Sequence, residues 1–170
     1  KKYAKEISKD IDMKVAHESK AHDPWLYESE DTTHYSIADK EGNMVAITKT
    51  VNGLFGNSVV VDGYGFVMNN EMDDFVVEAG HPNSVAPGKT PLSSMSPTIV
   101  LKDGKPFMVL GSPGATKIIS TVSQVISRVI DHNMSMQDAI DTPRLWDNTS
   151  NVLNIESRIP DETVKKLEAM

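Results

Sequence analysis

Asp31-Thr32-Thr33-His34-Tyr35-Ser36 is the stretch from which the rest of the chain can be read. A polar, irregular segment runs up to it, and an alternating strand leaves it. Thr-Thr at the head of a strand has two readings. β-Branched residues suit a pleated surface, so the pair can be a simple strand opening. A threonine hydroxyl can also be a nucleophile if a base lies beside it. Cleavage of the Asp31–Thr32 bond would give Thr32 its own base, an α-amine with a pKa of roughly 7.7–8.0.

The following residues make a hairpin. Tyr35 to Asp39 and Met44 to Thr50 are strand-like, and Lys40-Glu41-Gly42-Asn43 has turn chemistry. A turn centred on Glu41 places Thr32 opposite Thr50, with Asn52 following on the same face. A one-residue slip would send these side chains to the other face.

Composition narrows the classes. The 170 residues suffice for one domain with a real core, and 39% are hydrophobic. The net charge of −7 comes without a basic run, which argues against nucleic acid or an anionic membrane as partner. With no cysteine, disulfides and thiolate metal sites are excluded. No apolar run approaches the roughly 20 residues of a membrane span.

Upstream, Tyr3, Ile7, Ile11 and Val15 form one helical stripe, and residues 16–31 read as a linker with a turn at Asp23-Pro24. His17 and His22 flank Glu18 but do not form HExxH, so they read as solvated linker histidines.

Downstream, residues 53–65 are glycine-rich and irregular, and Phe66-Val67-Met68 reads as a short strand. The polar cluster Asn69-Asn70-Glu71-Met72-Asp73-Asp74 follows. It is either a charged loop or a pocket whose carboxylates and amides receive an ammonium group. A long Gly/Pro loop ends in Pro91-Leu92-Ser93-Ser94-Met95-Ser96-Pro97. A second hairpin then pairs Thr98–Leu101 with Pro106–Leu110. Gly111-Ser112-Pro113-Gly114-Ala115 leads into a helix over 115–131 with a stripe of Ile118, Ile119, Val122, Val125, Ile126, Val129 and Ile130. Strand, glycine turn and helix aim backbone N–H groups at an anion. The phosphate-loop pattern fails, because Lys117 is not preceded by Gly or followed by Ser or Thr. An oxyanion hole fits better. Met136–Ile140 reads as a short helix, Val152–Ile155 as a strand, and Pro160 starts a helix expected to run past Met170. Asn133 and Asn148 head glycosylation sequons.

Four segments together resemble the γ-glutamyltranspeptidase family of N-terminal nucleophile hydrolases. They are TTHYSIADKEGNMVAIT, NNEMDDF, PLSSMSPTIVLKDGKP and GSPG followed by a helix, in that order. The relatives include poly-γ-glutamate depolymerases and cephalosporin acylases. The resemblance implies an α+β fold, part of an αββα sandwich. Residues 1–31 would close a large-subunit region and carry the linker before the cleavage site. Residues 32–170 would be most of the small catalytic subunit, with the final strands missing.

The implied activity is hydrolysis or transfer of γ-glutamyl groups from glutathione and similar amides. A poly-γ-glutamate depolymerase, an acylase or an unprocessed binding fragment stand as alternatives. Thr32 resembles the nucleophile and Thr50 the threonine that orients it. Asn52, Glu71 and Asp74 resemble the residues that hold the substrate α-ammonium, and Ser93 and Ser94 the pair that binds its α-carboxylate. Gly114 and Ala115 resemble the oxyanion donors. Many members have glycine in place of Ala115; only the N–H is needed, so alanine serves there if its φ is negative.

No metal or organic cofactor is implied. The implied partners are the large subunit, which supplies an arginine to the substrate carboxylate, and a γ-glutamyl compound. The implied location is periplasmic, extracellular or at the cell surface. The loop from Val76 to Lys89 is shorter than in some relatives. With Asp31–Thr32 intact, Thr32 has no free amine, and the isolated chain is expected to be inactive.

Overall fold

The computed structural model describes residues 32–147 and 152–170. The upstream helix and linker, His17, His22 and the sequon asparagine at 148 lie outside the described residues. Among those described, three two-stranded antiparallel sheets combine with three helices. The mixed α and β content follows the reading of the sequence.

Strand β1 (Thr33–Ala38) pairs with β2 (Met44–Lys49), matching Thr33 with Lys49 and Ala38 with Met44. The expected register is therefore the observed one. Asp39 closes the turn by accepting the Asn43 backbone N–H at 2.8 Å and its side-chain amide at 2.7 Å.

Strand β3 (Thr98–Lys102) pairs with β4 (Lys105–Leu110) across Asp103-Gly104. Both turn residues have positive φ, 52° and 74°, as a type I′ turn requires. The ladder shifts register between Val100 and Leu101, a β-bulge. This hairpin lies against the first.

Helix α1 (Lys117–Ile130) buries Ile118, Val122 and Val125, spaced four and three residues apart on one face. They pack on Met108 and Leu110, alternate residues of β4, and on Ala139 of helix α2 (Met136–Asp141). Full burial of such side chains contributes roughly 1.5–3 kcal/mol each. Ile119 and Ile130 are 55% and 47% exposed, so the buried stripe is narrower than the sequence suggests.

Two polar side chains fix the helices. Ser135 caps α2 by accepting the Asp138 N–H at 3.1 Å. Arg128 of α1 donates to the carbonyls of Ala139, Thr142 and Pro143 at 3.1, 2.9 and 2.6 Å, serving the end of α2.

The sequence reading misses strand β5 (Leu145–Asp147), which pairs with β6 (Leu153–Ile155). Gln124 docks β5 on α1, donating to the Leu145 carbonyl at 2.7 Å and accepting its N–H at 3.2 Å. The expected strand at Phe66-Val67-Met68 reduces to one bridge between Val60 and Val67. The Met68 carbonyl lies where a side chain at Gly56 would stand and accepts the Asn57 N–H at 3.0 Å, while the Met68 N–H donates to the Val59 carbonyl at 2.9 Å, so the segment folds back on residues 57–61 in a short antiparallel closure. The last helix is α3 (Asp161–Glu168).

Candidate active site

Thr32, Thr50, Asn52, Glu71, Asp74, Ser93, Ser94 and Ala115 surround one pocket, joined by Leu92, Met95 and Ile118. Five stretches separated in sequence contribute to it. Gly114 lies instead on the neighbouring cavity of about 240 Å³, with Lys117, Arg144, Trp146 and Glu156. Eight of the nine expected site residues are thus brought together, and Gly114 borders them through its neighbour Ala115.

The hairpin positions the threonines. Thr32 precedes β1 and is half-buried, whereas Thr33 is exposed, as strand alternation requires. Thr50 Oγ1 accepts the Asn52 N–H at 2.9 Å. That bond closes a tight turn, with Asn52 at φ 68°, a region asparagine tolerates better than most residues. The turn aims the Asn52 amide at Asp74 Oδ1, 3.5 Å away.

Glu71 and Asp74 sit on one 3-10 turn, Glu71–Asp74. The sequence could not settle whether this cluster was a loop or a pocket wall; the turn makes it a pocket wall. Burial pushes the Asp74 carboxyl up to about 6, aided by the charge of Glu71, a hydrogen bond with it and the charge of Asp73. Asn52 opposes that rise by donating to the ionised form.

Ser93 Oγ accepts the Met95 N–H at 3.2 Å, and the Ser94 carbonyl accepts the Ser96 hydroxyl at 3.0 Å. Asn83 anchors this segment to the acidic turn. Its amide donates to the Asp74 carbonyl at 2.6 Å and accepts the Leu92 N–H at 3.1 Å.

The turn before α1 does not meet the condition set for Ala115. Ala115 has φ 54°, not a negative value. Gly114 before it has φ 129°, so two successive positive-φ residues lead from the end of β4 into the first helical turn. The conformation costs an alanine about 1–2 kcal/mol. The helix starts with Lys117 N–H to the Gly114 carbonyl (3.0 Å) and Ile118 N–H to the Ala115 carbonyl (3.1 Å). The Gly114 and Ala115 N–H groups precede the first helical donor and are not consumed by the helix.

Asn70, Asn83 and His34 escaped the sequence reading. Nothing in the polar stretch distinguishes Asn70 from Asn69. His34 lies two residues past Thr32 on the same face, held by Thr48 Oγ1 at 2.8 Å and Ser36 Oγ at 2.9 Å. Among the described residues no group of three His, Asp or Glu side chains is arranged to hold a metal ion. No described helix is long and apolar enough to cross a membrane.

The family model for gamma-glutamyltranspeptidase matches residues 1–170. The glutathione hydrolase proenzyme of Escherichia coli is 43% identical over 185 residues, covering 99% of this chain and 32% of the relative. The acylase ACY 1 proenzyme of a Pseudomonas species is 44% identical over 142 residues, covering 84% of this chain and 25% of the relative. The crystal structure of Helicobacter pylori gamma-glutamyltranspeptidase T380A is 45% identical, with a TM-score of 0.75, covering 81% of each chain. The chain spans about a third of the length of the first curated relative, 32%. With its whole length matched by the family model and its fold shared with a solved member, the chain belongs to the gamma-glutamyltranspeptidase family.

Proposed function

We propose that the protein carrying this chain is a threonine-nucleophile amidohydrolase and acyltransferase acting on γ-glutamyl amides such as glutathione. The observation that carries the reading is the convergence of Thr32, Thr50, Asn52, Glu71, Asp74, Ser93, Ser94 and Ala115 on one pocket.

Thr32 first acts on its own chain. Its hydroxyl attacks the carbonyl of Asp31, the acyl group moves from nitrogen to oxygen, and water hydrolyses the resulting ester. The products are a carboxylate on Asp31 and a free amine on Thr32. In the processed protein that amine takes the proton as the hydroxyl attacks the γ-amide carbonyl of the substrate. The Gly114 and Ala115 N–H groups hold the oxyanion. The amine leaving group departs with a proton, and water or a second amine then resolves the γ-glutamyl ester. Asn52, Glu71 and Asp74 hold the substrate ammonium, Ser93 and Ser94 its carboxylate, and Thr50 orients Thr32.

Residues 1–31 belong to the region upstream of cleavage and residues 32–170 to the catalytic subunit. The larger architecture is an αββα sandwich completed by the large subunit. Tyr35, Ile37 and Val45 on the first hairpin, with Ile99, Leu101 and Phe107 on the second, leave apolar surface for it to cover.

An acylase is the second reading, favoured by the 44% identity to the Pseudomonas acylase proenzyme. Asp74 beside Ser93 and Ser94 argues for a glutamyl head group over a glutaryl one, which lacks the ammonium. Intact mass of the expressed protein, with turnover of a γ-glutamyl and a glutaryl anilide, tests both. Two subunits and γ-glutamyl turnover are expected. A single uncut chain, or preference for the glutaryl compound, would overturn the proposal.

A further inference from the structure

Asn70 does not line the pocket, yet it joins two of its walls. Its side-chain oxygen accepts the Gly53 N–H at 2.7 Å, and its side-chain nitrogen donates to Asp73 Oδ2 at 2.6 Å. Only this orientation of the amide satisfies both partners, since Gly53 offers an N–H and Asp73 a carboxylate. The Asn70 N–H donates to the Val51 carbonyl at 3.1 Å. The Asn70 carbonyl accepts the Asp73 N–H at 2.9 Å and the Asn52 amide at 3.4 Å. Every hydrogen-bonding group of the residue is used, and each bond ends on the Val51–Gly53 turn or on the acidic turn. A side chain at Gly53 would come within 3.2 Å of the Asn70 amide, so glycine there permits the close approach.

We propose that Asn70 is a positioning residue that sets head-group selectivity. It holds Asn52 and Asp74 at the separation that accepts an ammonium and keeps Asp73 turned to itself rather than into the pocket. The proposal rests on the reading of that pocket as an α-ammonium site. The charged groups facing Asp74 are Glu71 and Asp73, and Asn52 meets it from the opposite segment.

The test measures inhibition of γ-glutamyl anilide hydrolysis by L-glutamate and by glutarate, which lacks the amine, in the intact protein. Asn70→Ala is expected to weaken L-glutamate about tenfold or more while glutarate changes less than about threefold. Equal weakening of both ligands, or no change in either, would overturn the assignment. Asn70→Asp keeps the acceptor for Gly53 and sets a carboxylate against Asp73. It loses the donor to Asp73, so the preference for L-glutamate over glutarate is expected to fall. This near-isosteric variant carries the test if the alanine variant does not fold; an unchanged L-glutamate to glutarate ratio overturns the proposal. Asp74→Ala is the control for the underlying reading. If it leaves the L-glutamate to glutarate ratio unchanged, the ammonium site itself is misassigned. If it collapses the ratio and Asn70→Ala does not, only the role of Asn70 fails.

Discussion

Thr33 pairs with Lys49 across the first hairpin, and the same register carried one residue further sets Thr32 opposite Thr50. The pairing sorts the two adjacent threonines. Thr32 borders the pocket and Thr33 stands exposed on the other face. Thr32→Ala is expected to abolish both cleavage at Asp31–Thr32 and turnover. Thr32→Ser should retain part of each, because the hydroxyl survives. Thr33→Ala should leave both nearly intact. A gel and an anilide assay on the three variants decide the matter; cleavage in Thr32→Ala would remove Thr32 as nucleophile.

Asp74 makes binding depend on pH. Its carboxyl titrates at about 6 in the free site, so it is ionised above that pH and neutral below. Substrate capture through an ammonium should therefore weaken as pH falls through about 6, seen as a rising KM. Asp74→Ala should lower kcat/KM about ten- to a hundredfold at neutral pH, the equivalent of a charge-assisted hydrogen bond.

The same carboxyl opposes stability. Its folded pKa lies above the unfolded value of 3.8, so folding favours the protonated form. Its contribution is complete below 3.8 and is lost as pH rises through about 6. Asp74→Asn, which mimics the protonated state, should raise Tm at pH 7.5 and change it little at pH 4. Thermal melts at the two values check the sign.

His34 occupies the space a side chain at Gly111 would need. Gly111→Ala should cost about 1–3 kcal/mol as overpacking. His34→Ala removes two hydrogen bonds of about 1 kcal/mol each. In the double variant the costs should be less than additive, because the clash partner is gone. Denaturant melts of the four proteins measure the coupling, and strict additivity would exclude the contact.

Arg128 should be worth about 2–3 kcal/mol through its three carbonyl partners. Arg128→Met keeps the apolar stem and removes the donors. Faster hydrogen exchange is expected at Ala139 and Thr142, whose N–H groups bond within α2 and at its cap.

What the sequence determined by itself is local. Period-two alternation and a Glu41-Gly42 turn set the first register; Asp103-Gly104 dictated the second turn; a stripe at helical spacing announced α1. These depend on residues a few positions apart, where backbone geometry leaves few choices. Motifs carried in order also nominated the candidate site residues, eight of which line one pocket. The tertiary structure decided what depends on distant segments meeting. The partners Gly53 and Asn70 are separated by 17 residues, and Asn52 and Asp74 by 22. Strand β5 pairs with β6, and Gln124, 21 residues from Leu145, docks it on α1. The left-handed backbone at Ala115, φ 54°, is one alanine by itself avoids, so the local sequence does not announce it. A carboxyl near neutrality at Asp74 needs burial and the neighbouring Glu71, and burial arises only once the whole chain has packed.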